Sequence, residues 1–102
     1  MKVYAVQLDC RWENKESNFS RVLSLLDDKS IQPGSLIILP ETFATGFSMN
    51  LDKTIPGEPE LTKAYLSELS SNLKCWVMGG MVAPAEDAGK GRNLSATFDP
   101  DG

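Results

Sequence analysis

An α/β fold with a largely parallel sheet is predicted by three stretches of this 102-residue chain. Leu36-Ile37-Ile38-Leu39 is a continuous apolar run stopped by Pro40, the pattern of a strand covered on both faces. Before it, residues 15–29 carry apolar side chains at helical spacing. Residues 2–9 at the N-terminus read as a further strand, so the order is β-α-β, the unit that builds parallel sheets.

The elements follow in order. Met1-Lys2-Val3-Tyr4-Ala5-Val6-Gln7-Leu8-Asp9 lacks the long apolar stretch and small-residue cleavage site of a secretory signal, so it is expected to belong to the folded protein. A cytoplasmic location with reduced thiols follows as the expectation. In the first helix Phe19, Val22, Leu23, Leu25 and Leu26 form the apolar stripe, Asn14 suits the N-cap, and Gln32-Pro33-Gly34 turns the chain. Residues 40–58, with Pro40, Gly46, Pro56 and Gly57, show neither helical nor alternating rhythm. They still hold Phe43, Phe47, Met49 and Leu51, so the segment reads as an ordered loop folded over a site.

Leu61, Tyr65, Leu69 and Leu73 recur every four residues and predict a second helix over 59–73, with Pro59 in its first turn. Residues 75–82 form a third strand containing the pair Gly79-Gly80, residues 84–91 a turn, and residues 93–98 a fourth strand. Asp99-Pro100-Asp101-Gly102 is again turn chemistry and is expected to lead into another element. Two helices cover one face of a four-stranded sheet and leave the other bare. At roughly 25 cal/mol per Å² of apolar area the bare face forfeits several kcal/mol, so a larger fold is expected to cover it.

Composition excludes several classes of function. There is no histidine, so neither a Ser-His-Asp nor a Cys-His triad exists within these residues, nor a His-ligated zinc site. Two cysteines make neither a four-Cys metal site nor a disulfide scaffold. A net charge of −4 with scattered Lys and Arg does not suit a nucleic-acid surface, and no apolar span is long enough for a transmembrane helix. No cofactor or metal is implied, and Gly89-Lys90-Gly91 lacks the spacing of a phosphate loop.

Glu41 is the candidate for chemistry. A strand end at the carboxyl edge of an open α/β sheet is where ligands bind, and Pro40 stops the ladder there. Aromatic neighbours would disfavour its charged form, the condition of a general base. The alternative is an exposed Glu that merely starts a loop. Phe43 and Phe47 either line a pocket or plug the core, and Thr45 and Met49 are further pocket candidates. Cys10 and Cys75 read as small buried hydrophobes, Lys90 as a solvated loop residue, and Asp27-Asp28 with Glu58 and Glu60 as solvated faces. The pair Gly79-Gly80 marks close backbone approach or a bulge.

Several of these pieces together resemble a known family. Val6-Gln7-Leu8-Asp9, Trp12, Asn14-Lys15, Asn18, Leu36-Ile37-Ile38-Leu39-Pro40-Glu41 with Phe43, and Thr45-Gly46-Phe47-Ser48-Met49 are similar to the N-terminal part of the nitrilase (carbon–nitrogen hydrolase) superfamily. The Thr-Gly-Phe-Ser-Met stretch is most similar to its omega-amidase branch. Val77-Met78-Gly79-Gly80 resembles the family's third strand, and Asn93 with Pro100-Asp101-Gly102 its Asn-containing strand and following turn. The resemblance implies a four-layer α-β-β-α sandwich, of which residues 1–102 are the N-terminal part of a single domain, truncated before the catalytic Lys and Cys. It implies a Glu-Lys-Cys set in which Glu41 is the base, with Phe43, Thr45, Phe47 and Met49 as substrate-binding candidates. The implied reaction hydrolyses the terminal amide of a small 2-oxo acid monoamide and releases ammonia. The implied partner is that small-molecule amide, with no nucleic acid or membrane, and the full-length protein is expected to be a homodimer. Without the nucleophilic Cys and catalytic Lys that the resemblance implies, the 102 residues alone are expected to be inactive. The competing readings are a small α/β binding module, which lacks a Gly-rich turn after the first strand, and a truncated interaction partner.

Overall fold

A computed structural model describes residues 1–87 and 89–102; one residue of the expected 84–91 turn thus lies outside the described residues. The elements are β1 (Val3–Ala5), α1 (Lys15–Asp27), β2 (Leu36–Ile38), α2 (Leu51–Thr54), α3 (Glu60–Leu73), β3 (Trp76–Pro84) and β4 (Gly91–Phe98). The strands lie in the order β1-β2-β3-β4. The pairs β1/β2 and β2/β3 are parallel, with Val3 opposite Leu36 and Leu36 opposite Trp76. The β3–β4 pair is an antiparallel hairpin in which Val77 faces Phe98 and Gly80 faces Ser95.

The first strand is shorter than the predicted 2–9 because its partner is short. Pro40 brings no N–H, and the last rungs around β2 are Val6 N–H to Ile38 O (2.9 Å) and Leu39 N–H to Met78 O (2.8 Å). Helix α1 begins where expected, with Asn14 Oδ1 accepting from Ser17 N–H at 3.0 Å. Its buried line is Asn18, Val22 and Leu26, each four residues from the next, while Leu23 and Leu25 stay exposed. The segment 40–58 is not wholly without regular structure, since Leu51–Thr54 close one short helix.

Of the predicted Leu61-Tyr65-Leu69-Leu73 stripe on α3, Leu69 is buried and Tyr65 and Leu73 pack against the core, while Leu61 in the first turn does not. Thr62, Leu66, Leu69 and Ser70 are buried, and Leu61 is exposed. The cause lies before the helix. Glu58, expected on a solvated face, has a side chain only 1% exposed; its Oε1 lies 3.3 Å from Lys15 Nζ and accepts from Thr62 Oγ1 at 2.7 Å. In the first turn Thr62 is therefore buried in place of Leu61. The Ser70 hydroxyl is satisfied within the helix by donating to Ser67 O at 2.8 Å, so it tolerates the interior.

The core lies between the helices and one sheet face, built on Val22, Leu26, Ile37, Phe43, Leu66 and Met81. Phe19 stacks on Tyr65 with ring centroids 4.1 Å apart, and Tyr65 Oη donates to Phe19 O at 2.9 Å. The alternation of burial along β3 leaves the other face half-covered. Val3 and Trp76 are exposed there, and Leu36, Ile38, Met78 and Val82 are only partly buried. This face, which the sequence expects to be bare, is thus covered in part.

Candidate active site

The route to the site starts at the end of β2. After the Leu39 rung, Pro40 releases the chain from the ladder and Glu41 follows it directly, exposed at the strand's carboxyl end. Thr42 then takes a left-handed conformation (φ 45°), and its carbonyl accepts from Thr45 N–H (3.2 Å) and Gly46 N–H (2.8 Å). That turn drives Phe43, Ala44 and Thr45 inward, all of them buried.

Asn18 holds the turn from α1. Its Nδ2 donates to Ala44 O at 2.6 Å and to Arg11 O at 2.8 Å, and its Oδ1 accepts from Arg11 N–H at 2.6 Å. Glu13 N–H donates to Thr45 O at 2.9 Å, and Ser48 Oγ donates to Glu13 Oε2 at 2.5 Å. The loop that follows Glu41 is therefore sewn to residues 11–18, which fixes its exit direction. A fully buried Asn making three hydrogen bonds is a structural clamp.

The hairpin β3–β4 meets Glu41 from the other side. An added Cβ at Gly80 would lie 2.9 Å from Glu41 Cα and 3.0 Å from Thr42 N, so only glycine admits the main chain here. Gly79 faces the opposite way, toward Phe43 Cε1 (3.0 Å) and Leu66 Cδ2 (3.2 Å). The glycine pair thus serves close approach on both faces of one strand. On β4, Asn93 Nδ2 donates to Glu41 Oε1. A depression of about 380 Å³ lies beside the pair, with Leu39, Met78 and Gly80 as its floor and Glu41, Asn93 and Ser95 as its polar groups.

The residues expected around Glu41 are spread apart. Phe43 is fully buried and takes the core alternative, in contact distance of the Gly79 position. Thr45 is also buried, its hydroxyl donating to Gly46 O at 2.9 Å. Phe47 and Met49 are 66% and 87% exposed. None of the four lines the depression, so the aromatic enclosure expected for Glu41 is not built by Phe43 and Phe47. Its neighbours in space come from β3 and β4. Asn93 was legible as a piece of the family pattern, but its partner was not.

Neither cysteine resembles an activated nucleophile. Burial, then the charge of Asp9, pushes the Cys10 thiol up, with Arg21 opposing only in part. Cys75 is buried and its Sγ lies 3.3 Å from Leu73 O. Lys90 is exposed, 3.8 Å from Asp87. Among the described residues no three His, Cys, Asp or Glu side chains converge as a metal site, and no helix is long and apolar enough to cross a membrane. The arrangement offers one carboxylate, oriented by an amide, at the rim of a partly apolar depression.

The chain's relatives agree with this architecture. It is 34% identical to the omega-amidase NIT2 of Danio rerio over 92 residues, 86% of this chain and 32% of that protein. The omega-amidase NIT2 of Homo sapiens is 33% identical with the same coverage. The chain thus spans about a third of the length of these curated relatives. Among solved structures, an N-terminal amidase with a Gln-Gly peptide superposes with a TM-score of 0.78 at 20% identity, covering 99% of this chain and 25% of that one. XC1258 from Xanthomonas campestris, a CN-hydrolase superfamily protein, gives 0.69 at 25% identity, covering 89% and 38%. The fold is therefore that of the nitrilase-like α/β proteins. The sequence pattern described as Carbon-nitrogen hydrolase matches from residue 2 through to residue 102, and by that extent this chain belongs to the carbon–nitrogen hydrolase family.

Proposed function

We propose that residues 1–102 form the N-terminal part of a single carbon–nitrogen hydrolase domain whose reaction is that of an omega-amidase. The substrate is the terminal amide of a small 2-oxo acid monoamide, and ammonia is released. The observation that carries this reading is Glu41, presented at the carboxyl end of β2 in a chain whose relatives include omega-amidases. The reading extends to a homodimeric, cytoplasmic enzyme.

Glu41 is the general base. Its free carboxylate oxygen takes the proton of a cysteine thiol supplied by the remainder of the domain, and the thiolate attacks the amide carbon. The C–N bond breaks as protonated Glu41 passes that proton to the nitrogen, ammonia leaves, and a thioester remains. Water, deprotonated by the same carboxylate, then cleaves the thioester to the acid and restores the thiol. A lysine from the remainder of the domain steadies the oxyanion. Within this chain Phe47 and Met49, exposed on the loop after Glu41, are the apolar side chains free to meet substrate. Phe43 and Thr45 act from behind, by holding that loop in place.

The test is ammonia release from 2-oxo acid monoamides by the product of the complete reading frame that carries this chain. Glu41→Gln keeps the shape but cannot accept the proton, and is expected to lower kcat by about 10²- to 10⁴-fold. An E41Q enzyme with an undiminished rate would refute the assignment. The 102 residues alone should release no ammonia above the blank, since the base is present without a nucleophile.

A further inference from the structure

The hairpin side of Glu41 carries a role that the catalytic reading leaves unassigned. Asn93 sits on β4 opposite Val82, and the alternation of the strand puts residues 93, 95 and 97 on the same face as Gly80. Its amide nitrogen donates to Glu41 Oε1, across 52 residues of sequence. A carboxylate oxygen only accepts, so the amide must present its NH₂ group to it. Among the described residues this is the one hydrogen bond of the Glu41 side chain, and Glu41 forms no ion pair.

We propose that Asn93 is a positioning residue for Glu41, orienting the carboxylate through Oε1 so that Oε2 is the oxygen that takes the proton. The proposal rests on the reading of Glu41 as the base. Chemistry favours an amide for this task. A Lys or Arg would fix the carboxylate equally well, but its positive charge would stabilise the ionised form and weaken the base. A neutral donor holds direction without pairing the charge. The main chain is held by the same hairpin, because Gly80 leaves room for Glu41 Cα and nothing larger. Side chain and backbone of the base are thus both registered against β3–β4, by two residues whose relative position is set by the pairing of Gly80 with Ser95 and Val82 with Asn93.

The experiment compares Asn93→Ala, Asn93→Asp, Thr97→Ala and Glu41→Gln in the complete enzyme, with kcat and KM measured separately and folding checked by thermal melting. Loss of orientation should lower kcat of N93A by about 10- to 100-fold, with KM within about twofold. Asp is nearly isosteric with Asn, so a packing role would be served better by N93D than by N93A. An orienting donor predicts the reverse order, because N93D sets a carboxylate against a carboxylate. T97A, on the same face but away from the depression, should keep kcat within about twofold. The proposal falls if N93D is at least as active as N93A, or if N93A changes KM and not kcat. An E41Q enzyme that keeps its rate removes both the base and its positioning residue. An impaired E41Q beside a fully active N93D removes the Asn93 role alone.

Discussion

Adding one methyl group to either of two adjacent glycines should separate positioning from stability. In Gly80→Ala the new Cβ starts 2.9 Å from Glu41 Cα and 3.0 Å from Thr42 N. Comfortable contact needs about 3.5–4.0 Å, so something must yield by about 0.6–1 Å. Both opposing atoms are backbone, and Gly80 itself is fixed in the β3–β4 ladder opposite Ser95. The displacement therefore falls on Glu41, and for Glu41 as the proposed base an error of that size costs about 10²-fold in rate. In Gly79→Ala the atoms met are Phe43 Cε1 at 3.0 Å and Leu66 Cδ2 at 3.2 Å, the far ends of side chains that can turn aside. The Phe43 main chain stays put, because Asn18 holds the neighbouring Ala44 carbonyl. Both variants overpack and should lose about 1–3 kcal/mol of stability. Only G80A should lose kcat, by about 10²-fold, while G79A stays within a few-fold. The assay is ammonia release by the complete enzyme, corrected for the folded fraction by urea titration. Equal kcat losses in the two variants, or a G80A enzyme with an undiminished rate, would refute the placement of Glu41 against Gly80.

Asn18→Leu removes an amide that serves Arg11 N–H, Arg11 O and Ala44 O, so it should destabilise by about 3 kcal/mol at roughly 1 kcal/mol per orphaned group. The readout is the urea midpoint at unchanged slope, and a loss below about 1 kcal/mol would mean the clamp is dispensable. The Cys10 thiol is pushed up from 9.0 by burial and by Asp9, and the Tyr65 phenol is pushed up from 10.0 by burial and by Glu68. Each raised group contributes stability that is complete below its ordinary value and is lost as pH rises through its folded value. The unfolding midpoint should therefore decline as pH climbs above 9.0, and Cys10 should alkylate more slowly in the folded than in the unfolded protein. A midpoint that rises with alkalinity, or faster alkylation of the folded form, would contradict this.

What was legible in advance depended on locality. The end of β2 at Pro40, the Asn14 cap and the boundaries of both long helices follow from residues next to one another, and propensity and capping are local properties. The first turn of α3, where Thr62 rather than Leu61 is buried, was not legible, because Thr62 meets Glu58, whose partner Lys15 only the fold brings near. The same holds at the site. Reading outward from Glu41 along the chain leads to Phe43, Thr45, Phe47 and Met49, yet two of these are buried and the other two point to solvent. The reason is the Thr42 turn, whose left-handed backbone reverses the chain immediately after the carboxylate. Residues next to Glu41 in sequence are thereby carried away from it, and the space is filled from β3 and β4 by Gly80 and Asn93. A strand register converts two distant residues into a pair, and no periodicity within either segment encodes which residue of the other it will meet. The family pattern placed Asn93 on a strand before the Pro100-Asp101-Gly102 turn and gave it no partner. Its chemical sense comes from the hairpin, whose pairing gives the carboxylate a donor on one side and clearance on the other.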